Sequence, residues 1–330
     1  KHAPPRLCAN ATYRRTLAVI ISTTMNQEEV IFDLYETVLE SLPKINEIGL
    51  RKILENFETR VRQISSGNSI AFILMNKGLT EYKFFRYWME ESFKIPGFDK
   101  RNPDHMSQLY KLIGERFEIE HDKNFEHALE SVQEFRKEDA EFKEASYNNS
   151  LNSLVNIWTA FEATIKSLWA YSLDNYPKLF INEVLRHKGS TEVAGIDGKS
   201  ISIGLLAKYD FNISNCLGSV MNEKFDFTSI SGIKKALNAL LGDNETIQSS
   251  FNDPSLTQLE ITRNLIVHSA GIIDNDYLKR TSRIDEKIGK RIDLSVKELC
   301  TYGNSCLNPT VSLALELDRI IHLESNVTNK

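Results

Sequence analysis

An all-α architecture is predicted from three features of the chain. Apolar residues recur at three- and four-residue steps, most regularly in Leu151, Leu154, Trp158, Phe161, Ile165, Leu168 and Trp169, the period of a helix that buries one face. Helix-start patterns punctuate the chain: Ser255 stands three residues before Gln258 and Ser295 three before Glu298, the spacing at which two side chains satisfy each other's backbone N–H groups. Alternating apolar and polar runs of strand type are scarce. A chain of 330 residues has room for two domains. The expected division is a separate, mainly helical N-terminal domain over 25–145 and a helical bundle over 146–330, with 1–24 an extension outside the fold.

Composition bounds the function. Aliphatic and aromatic residues make up 41 % and charged residues 26 %, an ordinary globular balance that excludes a disordered chain. The net charge of -5 removes general attraction to nucleic acid, so any such site has to be a local basic patch. Cys8, Cys216, Cys300 and Cys306 show neither CxxC spacing nor histidines at zinc-site distances, and they are expected to be reduced thiols. No apolar run approaches the roughly 20 residues that cross a bilayer. Leu17–Ile21 is shorter than the about 7–15 residues of a secretory signal core. The expectation is a cytoplasmic protein with no membrane partner.

Taken in order, Val30, Leu34, Val38 and Leu42 repeat at helical spacing until Pro43, and Leu50, Ile53, Leu54, Phe57, Val61 and Ile64 form the next helix. Ser65-Ser-Gly-Asn68 is predicted as a loop, Ile70–Met75 as a short buried run and Tyr82–Phe93 as an aromatic-rich helix. Pro96-Gly97 and Asn102-Pro103 mark turns. Helices are predicted over Met106–Phe117 and Asn124–Ala145, the second largely solvated because Glu and Lys fill it. The polar stretch Ser146-Tyr-Asn-Asn-Ser150 reads as the domain boundary. In the helix that follows, Glu162 and Lys166 sit one turn apart and read as a solvated ion pair.

Beyond Pro177 a polar loop, Lys188–Lys199, contains a Gly-x-x-Gly that lacks the spacing and preceding strand of a phosphate loop. Helices are expected over Ile201–Tyr209, Ile230–Leu241 and Ser255–Gly271. The last is started by its capping box and stopped by Gly271, with Leu256, Leu259, Ile266 and Val267 on its buried side. An irregular connection carrying Tyr277, Lys279, Arg280, Arg283, Lys287, Lys290 and Arg291 leads to a helix from Ser295. Pro309 is expected to separate it from a final helix ending at Leu323.

Few residues are placed for chemistry. His105, His121, His127, His187 and His322 are scattered and form no metal-ligating pattern, and no Gly-x-Ser-x-Gly elbow occurs. The helix over 255–271 is the exception, because it sets Arg263, Asn264 and His268 close together. Arg-x4-His spacing alone is a weak signal, since Arg116 and His121 repeat it. That copy lacks the asparagine and stands among Glu115, Glu118 and Glu120, which would repel a phosphate.

The run Arg263-Asn264-Leu-Ile-Val-His268, on a helix of an all-α domain, resembles the Arg-Asn-x-x-x-His signature of the HEPN superfamily. Trp158-Thr-Ala-Phe-Glu162 in the preceding helix and Ser269-Ala-Gly-Ile-Ile-Asp274 after the motif extend the resemblance, which covers about residues 146–323. It implies a HEPN-like bundle and a metal-independent endoribonuclease of toxin–antitoxin or anti-phage defence type that needs no cofactor. Arg263 and His268 are implied as catalytic residues and Asn264 as substrate-positioning. RNA is the implied substrate, cut by a homodimer in whose cleft two copies of the motif meet. An antitoxin or regulatory protein is a further implied partner, with the N-terminal domain regulating or recruiting. Some HEPN proteins have lost catalysis, which leaves an inactive interaction module, or one that senses nucleotides, as the alternative.

The residues make chemical sense of that implication. Metal-free RNA cleavage uses the 2′-OH as nucleophile, with a base to take its proton and an acid to protonate the leaving 5′-oxygen. Histidine suits either task near neutral pH, and a helix C-terminus favours its protonated form. Arginine can hold a phosphate bidentately and neutralise charge developing on it. Asn264, one turn before His268, can orient the imidazole or the RNA. About 140° separates Arg263 from His268 around a helix. Convergence on one phosphate therefore calls for a long arginine reach, unwinding near Ser269, or a second copy of the helix. The competing reading pairs Arg263 with Glu260 or Glu286 and makes His268 a capped core histidine. The basic connection 279–291 either lines an RNA groove or, with Asp285, Glu286 and Asp293 close by, is a solvated loop.

Overall fold

The computed structural model describes residues 36–180, 201–281 and 287–327. The predicted extension 1–24, Val30, Leu34, the loop Lys188–Lys199, and His187, Arg283, Asp285 and Glu286 lie outside the described residues. Among the described residues helix makes up about 79 % and no strand occurs, which is the all-α class that the apolar periods predict. Among the described residues no helix is long and apolar enough to cross a membrane.

Contacts divide the chain into two compact units: residues up to Ser65 together with Leu151 onward, and the intervening Ser66–Ser150. The division differs from one drawn at 145/146 because Leu50, Leu54, Phe57 and Val61 enter the same core as Trp158, Phe161 and Trp169. These four come from α2 (Ile48–Asn68), which follows α1 (Glu36–Ser41) and a 3-10 turn at Leu42–Lys44. Pro43 falls in the first positions of that turn, where its missing N–H costs nothing. Ser65–Asn68 is the last turn of α2 rather than a loop. Ser65 is buried, and a helical glycine costs only about 1 kcal/mol, less than packing returns.

In the second unit, α3 (Ile70–Ser92) lies against both α4 (Pro103–Ile119) and α5 (His121–Glu138). Tyr87, Ile95, Leu109 and Ile113 form its core. Ile70–Met75 is the first part of α3 and not a buried run: only Phe72 points inward, edge-on to Phe125 at 4.9 Å. Asn102 starts α4 by accepting from the Asp104 N–H, with Pro103 at the first helical position. Arg116, from the weaker of the two Arg-x4-His pairs, is fully engaged in structure. Its guanidinium lies 4.0 Å from the Tyr87 ring centre and pairs with Glu90 at 2.6 Å and with Glu91 and Glu120 at 3.1 Å.

The polar run Ser146–Ser150 is no linker: it lies inside α6 (Ala140–Asn175), a helix of 36 residues. The helix break comes earlier, at Asp139, whose carboxylate accepts from the Phe142 N–H. Asn and Ser are tolerated within α6 because that stretch is at most half-buried. The unit boundary still falls at Ser150–Leu151, where the apolar stripe begins.

The first unit is completed by α7 (Ile203–Ala207), α8 (Leu217–Asn222), α9 (Ile230–Leu241), α10 (Glu245–Ser250), α11 (Pro254–Ser269), α12 (Asn275–Thr281) and α13 (Val296–Val327). Gly218 of α8 sits so close to α6 that a Cβ there would come within 2.1 Å of the Ala170 carbonyl oxygen. Asp318 of α13 accepts from the backbone N–H groups of Asn46 and Glu47, and Glu47 in turn accepts from the Tyr171 and Tyr176 hydroxyls. The capping box at Ser295 forms as predicted: its N–H donates to Glu298 Oε2 at 2.8 Å, and the Glu298 N–H returns to Ser295 Oγ at 3.3 Å. Pro309 does not separate two helices but lies within α13. An internal proline costs about 3 kcal/mol, and the buried Cys306, Leu307, Val311, Leu313 and Ala314 around it outweigh that.

Candidate functional site

The sequence places Arg263, Asn264 and His268 on α11, and the ends of that helix set their positions. Its N-cap is Asp253 rather than Ser255. The Asp253 carboxylate accepts from the Ser255 N–H at 2.8 Å, and Pro254 takes the first helical position. Asp253→Ala is expected to lower stability by about 1 kcal/mol, read as a lower thermal midpoint. At the other end Ala270 and Gly271 both turn left-handed, at φ 50° and 74°, and their N–H groups bond the Leu265 carbonyl. The chain then pairs briefly with itself: Ile292 N–H reaches the Gly271 carbonyl and Ile273 N–H the Lys290 carbonyl. This pairing encloses α12, a helix where only an irregular connection was expected.

Leu256, Leu259, Ile261, Thr262 and Leu265 anchor α11 in the core. Val267, expected on the buried side, is 48 % exposed. It shares its side of the helix with Leu256 and Arg263, and that side is covered at Leu256 but opens towards the C-terminal end.

Beside that open end is a cleft of about 280 Å³ lined by Ile261, Asn264, Leu265, His268, Ser269, Asp274, Asp276, Tyr277 and Arg280. Asn264 and His268 therefore share the cleft, and Arg263 does not line it. Arg263 is tied to it through its neighbour: Nη1 donates to Asn264 Oδ1 at 2.9 Å. That bond occupies the amide oxygen and leaves the Asn264 NH2 group as the donor available to the cleft. Arg263 is half-buried, and its Nε is buried with no hydrogen-bond partner. Such an orphaned donor calls for an explanation, and an anion is one that would satisfy it.

The competing pairings do not form among the described residues. Glu260 accepts from the Ile230 N–H at 2.9 Å and so caps α9 instead of holding Arg263, and Glu286 lies outside the described residues. His268 is exposed and is no core histidine.

Glu162 is the residue that sequence reasoning assigned wrongly. It is half-buried, and burial pushes its carboxyl above the ordinary value. The charge of Arg263 is the largest influence opposing that shift, followed by Trp158 and Lys166. Glu162 and Arg263 are thus near enough for their charges to interact, although they form no salt bridge. The usable signal was its place one turn from Trp158, at the edge of the apolar stripe.

The far wall of the cleft comes from α12. Asp274 accepts from the Tyr277 N–H at 2.8 Å and caps that helix, and Arg280 pairs with Asp276 at 3.6 Å. Among the described residues of the 279–291 connection, Arg280 is the basic one that lines the cleft. Cys216, Cys300 and Cys306 are free, and burial pushes the Cys300 and Cys306 thiols up, away from the reactive thiolate. Among the described residues no group of His, Cys, Asp and Glu is arranged to hold a metal ion. Comparison of the chain with protein-family models, with curated proteins and with solved structures finds no match.

Proposed function

We propose that this chain is a metal-independent endoribonuclease of HEPN type, with Arg263 and His268 as catalytic residues and Asn264 positioning the RNA. The observation that supports it most is an exposed His268 beside Asn264 in an open cleft, with Asn264 holding a guanidinium whose Nε is buried without a hydrogen-bond partner. In the reaction the 2′-oxygen bonds to phosphorus and the bond to the 5′-oxygen breaks. The 2′-OH proton leaves to a base, and an acid supplies the proton taken up by the 5′-oxygen. Among its described residues one chain offers one histidine at the cleft, and a two-fold dimer supplies the second. A role as a toxin or anti-phage effector, an antitoxin or other regulatory partner, and a recruiting role for the N-terminal part belong to the same proposal.

The test is incubation of the full chain with single-stranded RNA in EDTA. Products ending in a 2′,3′-cyclic phosphate and a 5′-OH are expected. Intact RNA, or DNA cut equally well, would sink the proposal. Asp274 and Asp276 on the same cleft favour a second reading, a module that binds nucleotides or a protein partner without cleavage. Calorimetric nucleotide binding without RNA cleavage would select it.

A further inference from the structure

Among the described residues, nothing covers one face of α3 in the second unit. Ile70, Leu74, Lys77, Glu81, Phe85 and Met89 follow one another at steps of three or four residues and form one stripe about 120° wide along this 23-residue helix. The four apolar members are 52 %, 62 %, 70 % and 56 % exposed in that order, and Lys77 and Glu81 are exposed too. Scattered surface leucines need no explanation, but an apolar row running most of the length of a helix does.

The row has an internal symmetry. Residues 70 and 89 have their midpoint between 79 and 80, residues 74 and 85 share it, and residues 77 and 81 have theirs at 79. Apolar residues thus hold both ends and two opposite charges flank the centre. We infer that α3 pairs antiparallel with α3 of a second copy of this chain, about a two-fold axis that crosses this row at the level of residues 79 and 80. A two-fold interface requires a surface complementary to itself, and this row is one. Ile70 meets Met89 of the partner subunit, Leu74 meets Phe85 of the partner subunit, and each Lys77 faces Glu81 of the partner subunit. A parallel pair would instead set lysine on lysine and glutamate on glutamate. A lipid surface is a poor occupant, because a membrane-lying helix keeps acidic charge out of its apolar face. Gly78, beside the axis, has open space at its Cβ position and adds no side chain to hold the helices apart. This pairing does not depend on the cleavage chemistry proposed above.

The experiment uses the full chain. Sedimentation equilibrium of wild type is expected to show self-association, weakened about tenfold or more by Lys77→Glu, which sets like charges opposite each other. The double exchange Lys77→Glu with Glu81→Lys is expected to restore it. Because a second contact between copies would leave some assembly in place, location is read separately. Mixing Leu74→Cys chains with Phe85→Cys chains is expected to give an interchain disulfide that neither forms alone. All four positions are exposed, so unchanged circular dichroism is expected. A monomeric wild type, no rescue by the double exchange, or no cross-link in the mixture overturns the inference. So does a wild type that stays monomeric and binds vesicles of mixed neutral and anionic phospholipid.

Discussion

Replacing His268 by alanine is expected to lower RNA cleavage by about 10²–10⁴-fold, the usual contribution of a positioned acid or base, while leaving the fold intact. The side chain is exposed at the cleft and supports no core packing, and alanine is the better helix former in the last turn of α11. A thermal midpoint near that of wild type is therefore expected, which separates lost chemistry from lost structure. Arg263→Ala is expected to reduce cleavage comparably, because removing one group aimed at transition-state charge costs about 10²–10³. Its structural effect differs, since it also releases Asn264 Oδ1 from the 2.9 Å bond that fixes the amide. Single-turnover cleavage in EDTA, with circular dichroism on the same samples, measures both. A His268→Ala chain that cuts as fast as wild type would remove His268 from the chemistry.

The features legible in the sequence are those fixed by neighbours within one or two turns. The span Ile230–Leu241 and the box at Ser295 are such cases, as is the shared face of Asn264 and His268 that follows from 100° per residue. The misread features are those where local and tertiary preferences compete. Gly67, the polar run 146–150 and Pro309 each carry a helix-breaking signal of at most about 3 kcal/mol, and the burial of residues around Ser65, beyond Leu151 and around Pro309 exceeds it. The charge environment of Arg263 was beyond local reading altogether. Glu162 lies about a hundred residues away in the chain, and only the core that α6 and α11 share brings its carboxylate near the guanidinium.

That same core gives the largest expected loss of stability. Trp169→Ala is expected to destabilise the first unit by about 3–5 kcal/mol, a large share of the roughly 5–15 kcal/mol by which a domain is stable. Trp169 is fully buried and packs on Phe225 and Phe227 at ring distances of 5.2 and 5.7 Å. It also ties two helices together, because its indole N–H donates to the Ala236 carbonyl of α9 at 2.8 Å. Alanine at this position leaves a cavity between them and removes that donor. Trp169→Phe separates the two contributions. It keeps most of the ring volume and abandons the hydrogen bond, while the Ala236 carbonyl keeps its partner within α9, so its expected cost is the about 0.5–1.5 kcal/mol of one hydrogen bond. Urea unfolding followed by far-ultraviolet circular dichroism reads both variants. If Trp169→Phe proves as costly as Trp169→Ala, the loss common to both, the indole bond to Ala236, dominates; a Trp169→Phe chain as stable as wild type would show that ring packing against Phe225 and Phe227 dominates and that the hydrogen bond contributes little to holding α9 on α6.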